Sequence, residues 1–322
     1  VFDSSMILDS VIFSSGTTKT IIYESGMQEI GEVVCAVGVF DGMHQGHQFL
    51  IDQAVTEARQ RNLPSMVVTF DCDPDELFLP NEKVKKLFSN ADRLAWLATR
   101  DLDYVLIIPF RDELAKTEPR QFMDHMFTTV VRPKSIHVGQ DFRYGHKASG
   151  KVADLRKWAD AHQCCVHAHI LVCDNGLPVT ATRIRDALAQ GRLDEANALL
   201  TRPYYVRATV VRGREVGREL GFPTANIATT QPYATIADGV YGGYVYVDDV
   251  PYKAAISVGA PATFQGVGPT IEAHLIDFEG DIYLQDVKVA FVEKIREMRS
   301  FESVEQLKET VMANIAWARD NL

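Results

Sequence analysis

The chain has 322 residues, 46% of them hydrophobic and 24% charged, and a formal net charge of -10. That length is too great for one compact core and points to two domains, while the acidic balance excludes a general binder of nucleic acid or of anionic membranes. It leaves room for a local positive site that holds a phosphate ligand.

The sequence contains no long apolar run, and its first thirty residues carry Asp3, Asp9, Glu24 and Glu29 without a basic-then-apolar order. Neither a membrane span nor a secretory leader is expected. Cys35, Cys72, Cys164, Cys165 and Cys173 show no CxxC spacing. Reduced thiols in a cytoplasmic protein fit that pattern.

The first clear element is the β-branched run Val33–Val37, which reads as a buried strand, and Phe49–Arg59 has the spacing of an amphipathic helix. Between them lies Gly38-Val-Phe-Asp-Gly-Met-His-Gln-Gly-His-Gln48. A strand, a glycine-punctuated turn and a helix form the geometry that offers backbone N–H groups and a positive dipole end to a phosphate. Gly38, Gly42 and Gly46 permit tight turns around Phe40 and Asp41. His44 and His47 stand three apart at the helix entrance, so their imidazoles share a side. The bland alternatives for this string are a metal-binding His pair or a purely structural turn.

Further along, Ser65–Phe70, Tyr104–Pro109 and Ser135–Gly139 read as strands, and Asn90–Thr99 and Pro119–Thr129 carry helical spacing. Such alternation predicts an α/β domain with a parallel sheet covered on both faces. Ligands collect beyond the carboxyl ends of such strands, where the segments Gly38–His47, Thr69–Pro74 and Gly139–Gly145 fall. In the last of these Asp141, Phe142 and Tyr144 can line a ring pocket or simply pack in a turn. Thr180 or Thr182 can cap a helix that Arg183 and Arg185 make electropositive, forming a second anion site or an ordinary capped helix.

After Asp174–Pro178 the pattern changes. Two short helices, Thr182–Gln190 and Leu193–Leu200, precede a stretch from Tyr204 to Val292 of short strands broken by Gly, Asp and Pro, including Gly243–Val247 and Ile282–Val289. That spacing predicts a closed antiparallel β-barrel, and Val304–Leu322 predicts one terminal amphipathic helix. Within this half, Gly213-Arg-Glu-Val-Gly-Arg-Glu-Leu-Gly-Phe-Pro-Thr-Ala-Asn226 combines Gly213, Gly217 and Gly221 with Arg218 and with the oxygens of Thr224 and Asn226. Glu272 alternates with His274, so the two share one face of a strand, taken here to be the barrel interior.

The Gly38–Gln48 string closely resembles the HxGH-type nucleotidyltransferase signature as bacterial FAD synthetases carry it. Thr180–Arg185 resembles the ISSTxxR motif of nucleotidyltransferases, with Ala181 for a serine, and Gly139–Gly145 resembles the family's GxDFxFG-like string. Gly213–Asn226 resembles the riboflavin kinase flap and PTAN segment, and Pro269–Phe278 its glutamate strand. Together these strings cover nearly the whole chain, which looks like a bifunctional prokaryotic riboflavin kinase/FAD synthetase.

The resemblance implies an adenylyltransferase domain over 1–185, Rossmann-like, and a kinase barrel over 186–322. Riboflavin, FMN, FAD and ATP are the implied substrates and products, with Mg²⁺ held by Thr224 and Asn226. Nucleic acid and membrane partners are not implied, and self-association is left open. Glu272 would take the riboflavin hydroxyl proton, and His44 and His47 would steady phosphate charge. Gly38, Phe40, Asp41, Gly42, Gly46, Thr180, Thr182, Arg183, Arg185, Gly213, Gly217, Arg218 and Gly221 would bind nucleotide or phosphate. Asp141, Phe142 and Tyr144 would bind flavin.

The chain departs from the family pattern at several positions. Cys72 and Asp73 stand for a proline and a histidine, Ser257 for an asparagine, Leu284 for a glycine and Met298 for a glutamate. Two other expectations therefore stand beside the main one: a single active module, the kinase before the transferase, or a flavin-binding sensor without turnover.

Overall fold

The structure, a computed structural model, describes residues 18–22, 29–74, 85–127, 131–213, 221–229, 232–259 and 270–322. Its contacts divide into two units. One holds the chain up to residue 84 and Asn90–Thr180; the other holds Lys85–Ser89 and Ala181–Leu322. Among the described residues, no helix is long and apolar enough to cross a membrane.

The first unit is built on six parallel strands: β1 (Lys19–Ile22), β2 (Gly31–Val37), β3 (Ser65–Phe70), β4 (Tyr104–Ile108), β5 (Val131–Gly139) and β8 (Cys165–His169). They lie in the order β1-β4-β3-β2-β5-β8. The chain thus steps outward from β2 to one side and returns on its other side with β5, and this reversal opens a crevice at the carboxyl ends.

Residues of β2 alternate between two cores. Val33, Cys35 and Val37 join the cluster packed under α4 (Pro119–Phe127) and α5 (Val152–Ala161). Val34 and Ala36 join the opposite cluster, under α1 (Gln45–Arg61) and α2 (Asn90–Ala98). A strand buried on both faces is apolar throughout, which is why Val33–Val37 shows no polar alternation. The one-turn helix α3 (Asp112–Ala115) and two short hairpins, β6 (Arg143–Tyr144) with β7 (Gly150–Lys151) and β9 (Cys173–Asp174) with β10 (Leu177–Pro178), complete this unit.

The second unit opens with α6 (Ala181–Ala189) and α7 (Leu193–Leu200) and continues into a closed barrel. Its strands are β11 (Tyr204–Val211), β12 (Ala225–Ala228), β13 (Gly239–Val247), β14 (Val250–Gly259), β15 (Thr270–Leu275) and β16 (Asp286–Arg296), paired antiparallel in the order β11-β12-β15-β14-β13-β16. The expected strand Ile282–Val289 starts later, because Ile282–Gln285 forms a turn in which Gln285 N donates to Ile282 O. The terminal helix α8 (Val304–Asn321) is capped by Ser303 Oγ, which accepts from Gln306 N at 3.2 Å. Its Ile315 and Ala318 pack on Phe222 and Ile276.

Lys85–Ser89, which precedes α2 in the chain, is built into this second unit. Lys86 N donates to Pro232 O at 2.9 Å and Ala234 N to Lys86 O at 2.7 Å. Leu87 is fully buried, and the Phe88 ring lies 4.5 Å from that of Tyr205.

Candidate functional site

In the first unit, the Gly38–His47 segment leaves the carboxyl end of β2, and Gly38 N donates to Val68 O. Phe40, Gly42 and Met43 all take left-handed backbone, at φ 59°, 78° and 43°. For Phe40 and Met43 this is a strained choice. Both side chains are buried in the core under α1, at 1% exposure, and packing holds the turn in shape.

His44 then caps α1, its Nδ1 accepting from His47 N at 3.4 Å. A neutral His44 therefore carries its proton on Nε2. The two imidazoles stack with centroids 3.7 Å apart, and Phe40 meets His47 edge-on. A Cβ on Gly46 would stand 3.2 Å from the His44 ring and 3.5 Å from Val179 O. The tight contact is with the imidazole, so glycine there leaves the capping ring undisturbed. Two imidazoles at the positive end of a 17-residue helix form a donor pair suited to an anion.

Beside this turn lies a residue the sequence reasoning missed. Arg93 on α2 is 4% exposed; its Nη1 donates to Val39 O at 2.5 Å and to Thr69 Oγ1 at 2.7 Å, and its Nη2 to Phe70 O at 2.5 Å. One guanidinium thus fastens the ends of β2 and β3 together. Burial pulls its pKa down, opposed by the carboxylates of Asp41 and then Asp73. No motif marks Arg93; the only signal is a charge next to the apolar positions Leu94 and Leu97.

In the same loop, Asp71 Oδ1 accepts from Phe110 N and its Oδ2 from Arg111, while Cys72 Sγ turns toward Phe110 O at 3.7 Å. Cys72 is thereby a packing residue, and Asp73 acts electrostatically on Arg93.

The Gly139–Gly145 segment leaves β5, next to β2 in the sheet, and its aromatics divide their roles. Tyr144 is buried in the core against Phe122, and burial pushes its pKa up to about 12. Phe142 stacks on it at 5.5 Å and is half-buried, and Asp141 is exposed. Of the three residues expected at a flavin, Asp141 and Phe142 present surface and Tyr144 does not.

The boundary between units falls after Thr180, so Thr180 belongs to the first and Thr182, Arg183 and Arg185 to the second. Within the second unit Arg183 Nε donates to Glu195 and Arg185 Nε to Lys85 O.

Of the residues predicted in this half, the barrel brings Asn226 and Glu272 together on its outer wall. Asn226 on β12 pairs with Glu272 on β15, which in turn pairs with Ser257 on β14. Directly paired residues share a face, so amide, carboxylate and hydroxyl form a row. That face is the outside: Ile271, Ala273 and Leu275 are buried and Glu272 is exposed. The expectation that Glu272 and His274 point inward is corrected here. They do share a face, but the apolar alternate set fills the interior and excludes a carboxylate.

His274 Nδ1 lies 2.8 Å from Pro223 O and ties the Pro223–Thr224 backbone to β15. A Cβ on Gly213 would overlap the Asn226 side-chain amide, so glycine is what lets the chain run over it. Gly221 takes φ 92°. Gly217 and Arg218 lie outside the described residues.

Two family models match the chain: FAD synthetase over residues 27–183 and riboflavin kinase over residues 200–322. The bifunctional riboflavin kinase/FMN adenylyltransferase of Escherichia coli K12 is 32% identical over 288 residues, covering 89% of this chain and 92% of that protein. The chain belongs to the bifunctional riboflavin kinase/FMN adenylyltransferase family. A relative of that name from Listeria monocytogenes is 33% identical, covering 85% of this chain and 87% of its own. A solved structure described as a macrolide-efflux protein from Streptococcus pneumoniae is 30% identical, with a TM-score of 0.81 over 95% of this chain and 99% of that one.

Against the riboflavin kinase pattern, two of the departures prove to be neighbours. Ser257 Oγ donates to Met298 Sδ at 3.7 Å, so these two positions touch each other. Leu284, in place of a glycine, holds φ 63° with its side chain 82% exposed. It pays the backbone strain that glycine would avoid.

Proposed function

We propose that this protein phosphorylates riboflavin to FMN in its barrel unit and adenylylates FMN to FAD in its first unit, using ATP for both. The observation that carries the reading is the pairing of Asn226 with Glu272 across β12 and β15, beside the Gly213 crossing. It sets an amide oxygen beside a carboxylate on the outer face of the barrel.

In the kinase step, Glu272 accepts the proton of the attacking riboflavin hydroxyl, and exposure keeps it accessible to that substrate. Thr224 and Asn226 are the residues that would hold Mg²⁺; their neutral oxygens suit a cation that keeps part of its water shell. When bound, that ion neutralises phosphate charge. His274 fixes the Pro223–Thr224 backbone so that these oxygens stay in place.

In the adenylyl step, the FMN phosphate oxygen attacks the α-phosphorus of ATP, and pyrophosphate leaves. The imidazoles of His44 and His47 and the amides opening α1 face the charge that builds on the phosphoryl oxygens. Positioning does most of the work in such transfers, and the Arg93 clamp keeps the turn in register with β3. Phe142 and Asp141 are the surface offered to the flavin, with Tyr144 backing Phe142 from the core. The matches to two separate family models, one on each half, support two working modules over one.

The test is direct. Purified protein incubated with riboflavin, ATP and Mg²⁺ is resolved by chromatography into riboflavin, FMN and FAD. Successive appearance of FMN and FAD supports the reading, and persistence of riboflavin alone overturns it.

A further inference from the structure

A cluster of metal-ligating side chains sits in the first unit among residues to which neither reaction assigns a task. His167 and His169 stand two apart on β8, so both leave the same face of the sheet. The register His137↔His167 puts His137 of β5 on that face as well, and α1 packs over it. Glu57, three turns into α1, meets them there: His137 Nε2 lies 2.7 Å and His167 Nε2 3.2 Å from Glu57 Oε2. One carboxylate oxygen and one nitrogen from each of these two histidines all lie within 4.8 Å of one another.

We propose that Glu57, His137 and His167 bind one divalent transition-metal ion of the zinc class, with His169 as the positioning residue for His137. Two imidazoles and one carboxylate are a donor set for such ions, with bonds of about 2.0–2.2 Å and ligand atoms some 3.3 Å apart in a tetrahedron. Closing the present spacing, up to 4.8 Å, needs a shift of about 1.5 Å at that bond length. His167 has the freedom to supply it, being 44% exposed on an edge strand of the sheet. That open side also gives the ion an entry path and a fourth position for water.

The remaining contacts orient the ligands. Arg61 Nε lies 2.8 Å from Glu57 Oε1, which leaves Oε2 for the histidines. His137 Nδ1 lies 2.9 Å from His169 Nε2. With a cation on Nε2, the single proton of neutral His137 sits on Nδ1 and is donated to His169, the arrangement that fixes a ligating imidazole. A bound ion would join α1 to β5 and β8 just below the Gly139–Gly145 segment, where Gln140 N donates to His169 O.

The experiment uses the full chain, stripped with a chelator and titrated with Co²⁺ and Zn²⁺ without nucleotide. The expected result is one Co²⁺ per chain with the visible d–d bands of tetrahedral coordination, and a higher unfolding temperature with Zn²⁺. Both effects are expected to vanish in Glu57→Gln and in His167→Gln, whose half-exposed position leaves the fold intact. His169→Ala is expected to weaken binding by roughly 10- to 100-fold, the range for losing an orienting partner. His44→Ala/His47→Ala is expected to bind as the parent does. Unchanged binding in His167→Gln and Glu57→Gln overturns the proposal. So does a thiolate-to-cobalt charge-transfer band, which would move the ion to the cysteines, or loss of binding confined to the His44/His47 variant.

Discussion

Replacing Arg93 with methionine tests whether one buried cation holds the adenylyl turn. The guanidinium serves three acceptors, Val39 O, Thr69 Oγ1 and Phe70 O. Thr69 Oγ1 already lies 3.4 Å from Val39 O and can donate to it once Arg93 is gone. The Phe70 carbonyl then loses its Arg93 partner outright, and Val39 O keeps a weaker one. An orphaned buried polar group costs about 1–3 kcal/mol.

The charge that burial otherwise penalises is removed at the same time, which offsets part of that loss. The net destabilisation is about 1–2 kcal/mol. For a unit of this size that lowers the unfolding temperature by roughly 2–8 °C. Calorimetry on the full chain reads the shift in the first unit's transition, and an FMN-plus-ATP assay reads FAD formation. We expect FAD formation to fall at temperatures where the variant is still folded, while riboflavin phosphorylation continues. A variant that unfolds at the parent temperature and makes FAD at the parent rate refutes the clamp.

Three further outcomes follow from other parts of the structure. Leu87→Ala, in a fully buried side chain of the second unit, is expected to cost that unit about 2–5 kcal/mol by calorimetry, although residue 87 precedes most of the first unit in the chain. Leu284→Gly is expected to raise stability by about 0.5–1 kcal/mol in urea unfolding, since it relieves φ 63° at a side chain that buries little. His137, at about 4 in the folded chain against 6.5 unfolded, leaves the unfolded state binding more protons between those values. Stability is therefore complete above pH 6.5 and is lost as pH falls toward 4, and His137→Gln is expected to flatten the unfolding temperature against pH across that window.

Much of the site was legible because local chemistry and long-range fold agree. The Gly38–Gln48 string sits between an apolar strand and an amphipathic helix, and the structure places it there with α1 starting four residues earlier than Phe49, at Gln45. The barrel was readable from short alternating strands. The outward face of Glu272 was also in the sequence: Ile271, Ala273 and Leu275 claim the interior, and counting that alternation would have put the carboxylate outside.

Other features had no local signal. Lys85–Ser89 joins the second unit through backbone pairing with Pro232–Ala234, nearly 150 residues away. Arg93 acts on carbonyl oxygens, which every residue has, so nothing in the sequence names its partners. Tyr144 reads as a pocket residue from its place between two glycines, yet Gly150 opens room for its ring in the core, where a Cβ would stand 2.9 Å from Tyr144 Cζ.

The central claim is that two chemically independent sites share one chain, and a crossed pair of variants tests it. Glu272→Gln keeps the shape of the base and removes its function, so phosphorylation of riboflavin is expected to fall by about two to four orders of magnitude. FAD formation from supplied FMN continues in that variant. His44→Ala/His47→Ala is expected to show the converse, with FMN accumulating from riboflavin and no FAD. Loss of FAD formation from supplied FMN in Glu272→Gln, loss of FMN formation in His44→Ala/His47→Ala, or parent-rate FMN formation by Glu272→Gln contradicts the account.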